Sequence, residues 1–171
     1  IMEREFGPQK TRLYRAPENR PATDKVTIRP PRQQYLIVDG YNIIFAWEDL
    51  AKVAADDLDA ARRGLLDALC SYAAFKKCRM VVVFDGYKRV GSPGSREQLA
   101  GLQVVYTAEG ETADAYIEAL VHEIGSNYAV RVATSDSLVQ LSSLRSGVLR
   151  MSARELRMEV EEACQDMRKF F

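Results

Sequence analysis

This sequence predicts an α/β fold, a mostly parallel sheet with helices on both faces, and three observations carry that expectation. From residue 34 onward, short apolar runs alternate with segments of helical period. The run Met80-Val81-Val82-Val83-Phe84 is continuously apolar and mostly β-branched, as parallel strands covered on both faces tend to be. The intervening segments are long enough for crossover helices, which implies right-handed βαβ units.

Residues 1–33 stand apart. They hold five of the six prolines (Pro8, Pro17, Pro21, Pro30, Pro31), lack sustained periodicity and carry a net charge of +4 against −4 for residues 34–171. They read as a Pro-rich basic linker or extension ahead of a domain over 34–171. Their charge suits contact with a polyanion, and a merely solubilising linker is the plainer alternative.

Within the domain, Tyr35-Leu36-Ile37-Val38 reads as a buried strand stopping at Asp39-Gly40. Leu58, Ala61, Leu65, Leu69, Tyr72 and Ala73 recur at spacings of three and four, predicting a helix over 56–77 with Asp56 as its N-cap. The strand Met80 to Phe84 also ends in an acid, at Asp85-Gly86. Residues 86–101, rich in Gly, Ser and basic side chains, are expected to form a loop. A strand over 103–106 precedes an amphipathic helix over 112–124, and a strand over 130–133 ends at Thr134-Ser135-Asp136. A short helix over 138–144 and a brief strand over 148–150 follow. Ser152-Ala153-Arg154-Glu155 has the form of a capping box opening the last helix, whose inner stripe is Leu156, Val160, Ala163 and Met167.

Composition narrows the chemistry. The 171 residues are 47% hydrophobic, enough to bury roughly 70% of the unfolded surface. No apolar run approaches the ~20 residues that cross a bilayer. The three cysteines form no CxxC pair, so a reduced, cytoplasmic protein without a membrane partner is expected. A single histidine argues against Ser-His-Asp and Cys-His triads and against His-rich zinc sites. Carboxylates, hydroxyls or a hard metal remain.

In open α/β sheets ligands bind at the carboxyl ends of the strands. Asp39, Asp85 and Asp136 end three strands, and Asp114 falls in the first turn of the helix after a fourth, with Glu111 just before it. If these acids converge, their mutual repulsion is relieved by Mg²⁺ or Mn²⁺, which prefer oxygen ligands. The chemistry implied is metal-assisted phosphodiester hydrolysis. Each acid taken singly has a plainer role: Asp39 and Asp85 as turn residues, Asp114 as a helix-dipole partner, Asp136 as an N-cap. Asn42 stands where it could orient a water or a phosphate. Thr134 and Ser135 add hydroxyls, and Lys88, Arg89 and Arg96 form a basic stretch able to grip a nucleic-acid backbone. Tyr41 and Tyr87 are candidates for base stacking; Trp47 reads as a packing residue and His122 as a surface one.

The ordered segments Leu36-Ile37-Val38-Asp39-Gly40-Tyr41-Asn42, Val82-Val83-Phe84-Asp85, Glu111-Thr112-Ala113-Asp114, Ala133-Thr134-Ser135-Asp136 and Leu149 to Leu156 together resemble the YacP-like branch of the NYN domains, PIN-like ribonucleases. The resemblance spans about residues 34–165 and implies a PIN-like, Rossmann-like α/β sandwich with metal-dependent endoribonuclease activity. It implies RNA as partner, messenger RNA on the ribosome above all, since a bacterial member of the branch cleaves there. Asp39 and Asp114 match the principal catalytic acids, Asp85 and Asp136 the supporting acids, Asn42 the site asparagine, and Glu111 an outer member. Val139 departs from the pattern, standing before Gln140 where relatives carry Glu. Residues 1–33 have no counterpart in the minimal domain, and domains like this one also occur attached to translation-factor GTPases. A catalytically weak RNA- or ribosome-binding module on the same fold is the alternative, motivated by Val139 and by zero net charge. A haloacid-dehalogenase-like phosphatase would need an acid where Tyr41 stands. A DNA flap nuclease would bring longer insertions and a larger basic surface.

Overall fold

The chain divides into two units after Pro31, and the computed structural model describes residues 32–86, 93–99, 101–135 and 148–169. The expected lead-in and the short helix over 138–144 lie outside the described residues. The elements are β1 Gln34–Asp39, α1 Gly40–Ala46, α2 Glu48–Asp56, α3 Leu58–Lys76, β2 Arg79–Phe84, β3 Ser95–Leu99, β4 Leu102–Tyr106, α4 Ala113–Ile124, β5 Ala129–Ala133, β6 Leu149–Met151 and α5 Ala153–Arg168.

The strands form a six-stranded sheet of order β3-β4-β2-β1-β5-β6. All neighbours are parallel except β3, which runs antiparallel to β4. The two-residue period of each strand divides the core. Leu36, Val38, Met80, Val82 and Phe84 face α1, α3 and α5, whereas Tyr35, Ile37, Val81, Val83 and Val105 face α4. The mostly parallel sheet with helices on both faces is therefore realised.

Three local expectations are corrected. The helix expected from residue 56 is the single helix α3, but it starts at Leu58 and is capped by Asp57 rather than Asp56, accepting from the Ala60 N–H at 3.2 Å, because Asp56 ends the preceding helix. The stretch over 40–55, assigned no helix from its sequence, forms α1 and nearly all of α2, with Ile43, Ile44 and Leu50 buried on them and Trp47 buried at their junction. Residues 95–99 are a strand, not part of a loop. Ser95-Arg96-Glu97-Gln98 is exposed throughout, so it lacks the apolar alternation that marks a half-buried strand. A charged edge strand of this kind also resists pairing with other chains. Leu99 pairs with Leu102, and Gly101, at φ +77°, supplies the left-handed backbone such a tight hairpin requires.

The last helix opens as expected. Ser152 Oγ accepts from the Glu155 N–H at 3.0 Å while Glu155 Oε1 accepts from the Ser152 N–H at 2.9 Å. Trp47 packs as expected too, and its buried Nε1 donates to the Ala153 carbonyl at 2.9 Å, tying the α1–α2 junction to the start of α5.

Tyr72, 1% exposed, joins α3 to α5 and β5. Its hydroxyl donates to Glu159 Oε1, and Arg131 Nη1 donates to Glu159 Oε2 at 3.1 Å. Burial first, and the bond to Glu159 second, push the phenol from 10.0 up to about 12. A group whose folded pKa is raised contributes stability that is complete below its unfolded value and lost as pH rises through the folded one. Wild-type stability should therefore fall between about pH 10 and 12, and Tyr72→Phe should flatten that fall in urea melts run across the alkaline range.

Candidate active site

The expected acids lie where parallel topology puts them. Asp39 ends β1, Asp85 follows β2, and Asp114 sits in the first turn of α4, the helix after β4. Parallel strands end on one edge of the sheet, so all three acids belong to its C-terminal edge. The fourth, Asp136, lies outside the described residues, as do Tyr87, Lys88, Arg89 and Val139.

Chain order locates the crevice along this edge. The path runs from β1 outward through β2 to β4 and β3, then returns to β5 on the other side of β1. Such a reversal leaves a cleft between β1 and β5 where open α/β sheets bind ligands. Asp39 and Ser135 stand there.

Asp39 is 5% exposed. It occupies the N-cap position of α1 but makes no side-chain capping bond, so its carboxylate is not spent on starting the helix. Asn42 Nδ2 donates to Asp39 Oδ2 at 2.9 Å. The amide oxygen of Asn42 in turn accepts from Ser135 Oγ. With a donor on one side and an acceptor on the other, the Asn42 amide has one orientation that satisfies both partners. A continuous chain Ser135–Asn42–Asp39 thus spans the switch point.

The two Asp-Gly pairs are not left-handed turns. Neither Gly40 nor Gly86 has positive φ, but a Cβ at Gly40 would lie 2.3 Å from the Phe84 ring, and one at Gly86 would lie 1.9 Å from the Thr107 carbonyl oxygen. Glycine is required by close approach. At Gly86 the neighbour is backbone, which cannot swing aside.

Thr107, 1% exposed, is a positioning residue the sequence reading missed. Its N–H donates to the Phe84 carbonyl at 3.0 Å, its Oγ1 accepts from the Gly86 N–H at 2.8 Å, and its hydroxyl donates to the Glu111 carbonyl at 2.8 Å. One side chain thereby joins the ends of β2 and β4 to the turn that leads into Asp114. No periodic signal could have singled out a lone threonine after a strand. Thr112 caps α4, accepting from the Ala115 N–H at 3.1 Å, and leaves Asp114 exposed one residue inside the helix.

Other expected residues are distributed. Thr134 is fully buried, and its N–H donates to the Met151 carbonyl at 3.1 Å, so the backbone at the end of β5 is locked to β6. Arg96 lies on β3, with its guanidinium 5.9 Å from the Tyr116 ring centroid. It shares a cavity of about 230 Å³ with Glu111, and none of the three described aspartates lines that cavity. Tyr41 packs its ring against Phe84 at 4.9 Å and accepts from Arg62 Nη1 at 2.9 Å, which makes it a part of the wall. Phe45, stacked on Tyr41 at 6.4 Å, is the exposed ring instead.

The donor chemistry fits a hard divalent cation. Asp39, Asp85, Asp114, Asn42 and Ser135 offer oxygen, which suits Mg²⁺ or Mn²⁺. His122 lies exposed two turns farther along α4, and Cys78 precedes β2 at the opposite edge. Among the described residues no group of three or more His, Cys, Asp or Glu could hold a metal ion.

Comparison with known proteins finds relatives by sequence and by fold. The model of the YacP-like NYN domain matches residues 36–171. The Bacillus subtilis (strain 168) protein YacP, described as uncharacterized, is 39% identical over 128 residues, 74% of each chain. The crystal structure of Rae1 (YacP) from Bacillus subtilis superposes with a TM-score of 0.66 at 32% identity, covering 79% of this chain and 78% of that one. A mutant form of the same Bacillus protein gives a TM-score of 0.65 at 34% identity, covering 79% of both chains.

Thr107→Val keeps the shape of the side chain but strands the Gly86 N–H and the Glu111 carbonyl, which should cost about 1–3 kcal/mol in denaturant unfolding. Gly86→Ala should cost at least as much, about 1–3 kcal/mol or more from overpacking.

Proposed function

The chain belongs to the YacP-like NYN domain family, and from that premise we propose that it is a divalent-metal-dependent endoribonuclease acting on single-stranded RNA, with messenger RNA on the ribosome as its substrate. The observation that carries this reading is the buried Asp39 carboxylate, held by Asn42, which Ser135 in turn fixes, at the switch point with Asp85 and Asp114 on the same edge.

Asp39 and Asp114 would hold Mg²⁺ or Mn²⁺, supported by Asp85, Asp136 and Glu111. When bound there, such an ion would supply an activated water and charge stabilisation at the phosphate. The protein's own part is positional. Asn42 fixes the rotamer of Asp39, and the Thr107 network holds the Asp85 and Asp114 segments together before substrate arrives, so orientation is not lost to motion at the reacting centre. Hydrolysis adds water across the P–O3′ bond, leaving a 5′-phosphate and a 3′-hydroxyl that takes up the proton. Lys88, Arg89 and Arg96, with the hydroxyl of Ser135, would contact the RNA, whereas the fully buried Thr134 would support the end of β5 from within. The protein would work in the cytoplasm, with residues 1–33 as an extension ahead of the nuclease domain at 34–171.

The test is cleavage of ribosome-bound message and of free unstructured RNA with and without Mg²⁺ or Mn²⁺. Asp39→Asn and Asp114→Asn should each lower the rate by about a hundredfold or more, with circular dichroism unchanged. Asn42→Ala should cost roughly 10–100-fold through loss of positioning. Equal cleavage by all the proteins would end the assignment; metal-independent RNA binding with no turnover would favour the non-catalytic module.

A further inference from the structure

Next to the acid edge, Ser135 also lines a cleft of about 700 Å³ whose wall includes Trp47, Asp49, Arg150, Ser152, Arg154 and Arg157. The cleft is shaped by β6 and the start of α5, the one sequence segment shared with the family to which no chemistry has yet been attached. Ser152 and Glu155 are explained by the capping box. The two arginines of that segment are not.

The charges in the wall are unequal. Arg157 is spent on structure: Nη1 and Nη2 donate to Asp49 at 3.0 Å each, Nε donates to Glu161 at 3.1 Å, and the guanidinium lies 4.7 Å from the Trp47 ring centroid. Asp49 is neutralised by that pairing, and the remaining acid, Glu48, faces Lys52 at 3.8 Å. Arg150 and Arg154 are exposed, and among the described residues neither makes an ion pair. Arg150 donates from Nη2 to the Thr134 carbonyl at 3.3 Å, which orients the guanidinium and commits one of its five N–H groups. Two guanidinium groups that make no ion pair among the described residues, Arg150 acting on Glu155 only through its charge, thus face one open cleft.

The cleft is also in line with the site. Arg150 pairs with Val132, three residues before Ser135, in the β5–β6 register, one strand over at roughly 4.8 Å across the sheet, and the Arg150 and Ser135 side chains both line the cleft. Ser135 bonds to Asn42 and Asn42 to Asp39. A chain of phosphates with one member at Asp39 can continue over Ser135 into the cleft.

We infer that this cleft is a second phosphate-gripping subsite for the RNA strand, with Arg150 and Arg154 as the gripping groups. Arginine suits the task because its fork matches phosphate oxygens bidentately. The inference rests on the nuclease reading for the identity of the strand, yet it concerns binding and is tested without turnover.

The experiment uses the full chain carrying Asp39→Asn, so that RNA is held and not cut. Binding of a fluorescent oligouridylate is measured over a salt series, with and without Arg150→Ala and Arg154→Ala together. The double substitution should weaken binding about tenfold at low salt and reduce the slope of log K against log salt by about 1.4, at ~0.7 per neutralised phosphate. Arg150→Lys with Arg154→Lys should restore the slope but only part of the affinity. An unchanged slope and affinity in the alanine protein, including no binding by either, would overturn the subsite and leave the cleft to a protein partner. Failure of the nuclease reading looks different: the unsubstituted chain does not cleave, while arginine-dependent RNA binding persists.

Discussion

A carboxylate buried at the end of an apolar strand is costly, several kcal/mol per charge, unless its oxygens are hydrogen-bonded or meet an opposite charge. Asp39 is such a group, and much of the local architecture answers to it. Its partner Asn42 lies three residues on, within reach only because the chain turns into α1 directly after β1. That turn passes across the Phe84 ring, so the residue after Asp39 has no room for a side chain. The Asp-Gly-Tyr-Asn run is therefore a single physical unit: a charge, a close approach, a ring that packs on Phe84, and an amide that returns to the charge.

Topology then decides what can stand near that unit. The crossover through α1 to α3 covers one face, and the crossover through α4 covers the other. The reversal of strand order beside β1 opens a gap that no crossover fills. Parallel pairing brings the ends of β2 and β4 to the same edge, and Thr107 fastens them. At its base the site is held by the Thr107 hydrogen bonds and the buried Asp39, while Asp114 and Ser135 are exposed.

Zero net charge does not oppose a polyanionic substrate, because the arginines are unequally employed. Arg131 serves Glu159 and Tyr72, Arg62 serves Asp59 and Tyr41, and Arg157 serves Asp49 and Glu161. Those charges hold helices to the sheet or to one another. Arg150 and Arg154 make no ion pair among the described residues, so total charge says little about where a strand of phosphates would lie.

The sequence alone determined the order and kind of most elements, the capping box at Ser152, the packing role of Trp47 and the placement of Asp39, Asp85 and Asp114 at strand ends or just after. These follow from local periodicity and short-range chemistry, which a chain carries in its order of residues. It was silent on α1 and α2, although Ile43, Ile44, Trp47 and Leu50 have helical spacing, because Gly40, Tyr41 and Asn42 are weak helix formers at the start. It missed β3, because an edge strand exposed on both sides needs no apolar pattern. Only the tertiary structure decided that Gly40 and Gly86 are required by neighbours 44 and 21 residues away, that Thr107 joins two strands to the Asp114 turn, and that Ser135 completes the Asn42 bridge. Each of those depends on which atoms the sheet brings within a few ångströms, a property of the folded register and not of spacing along the chain.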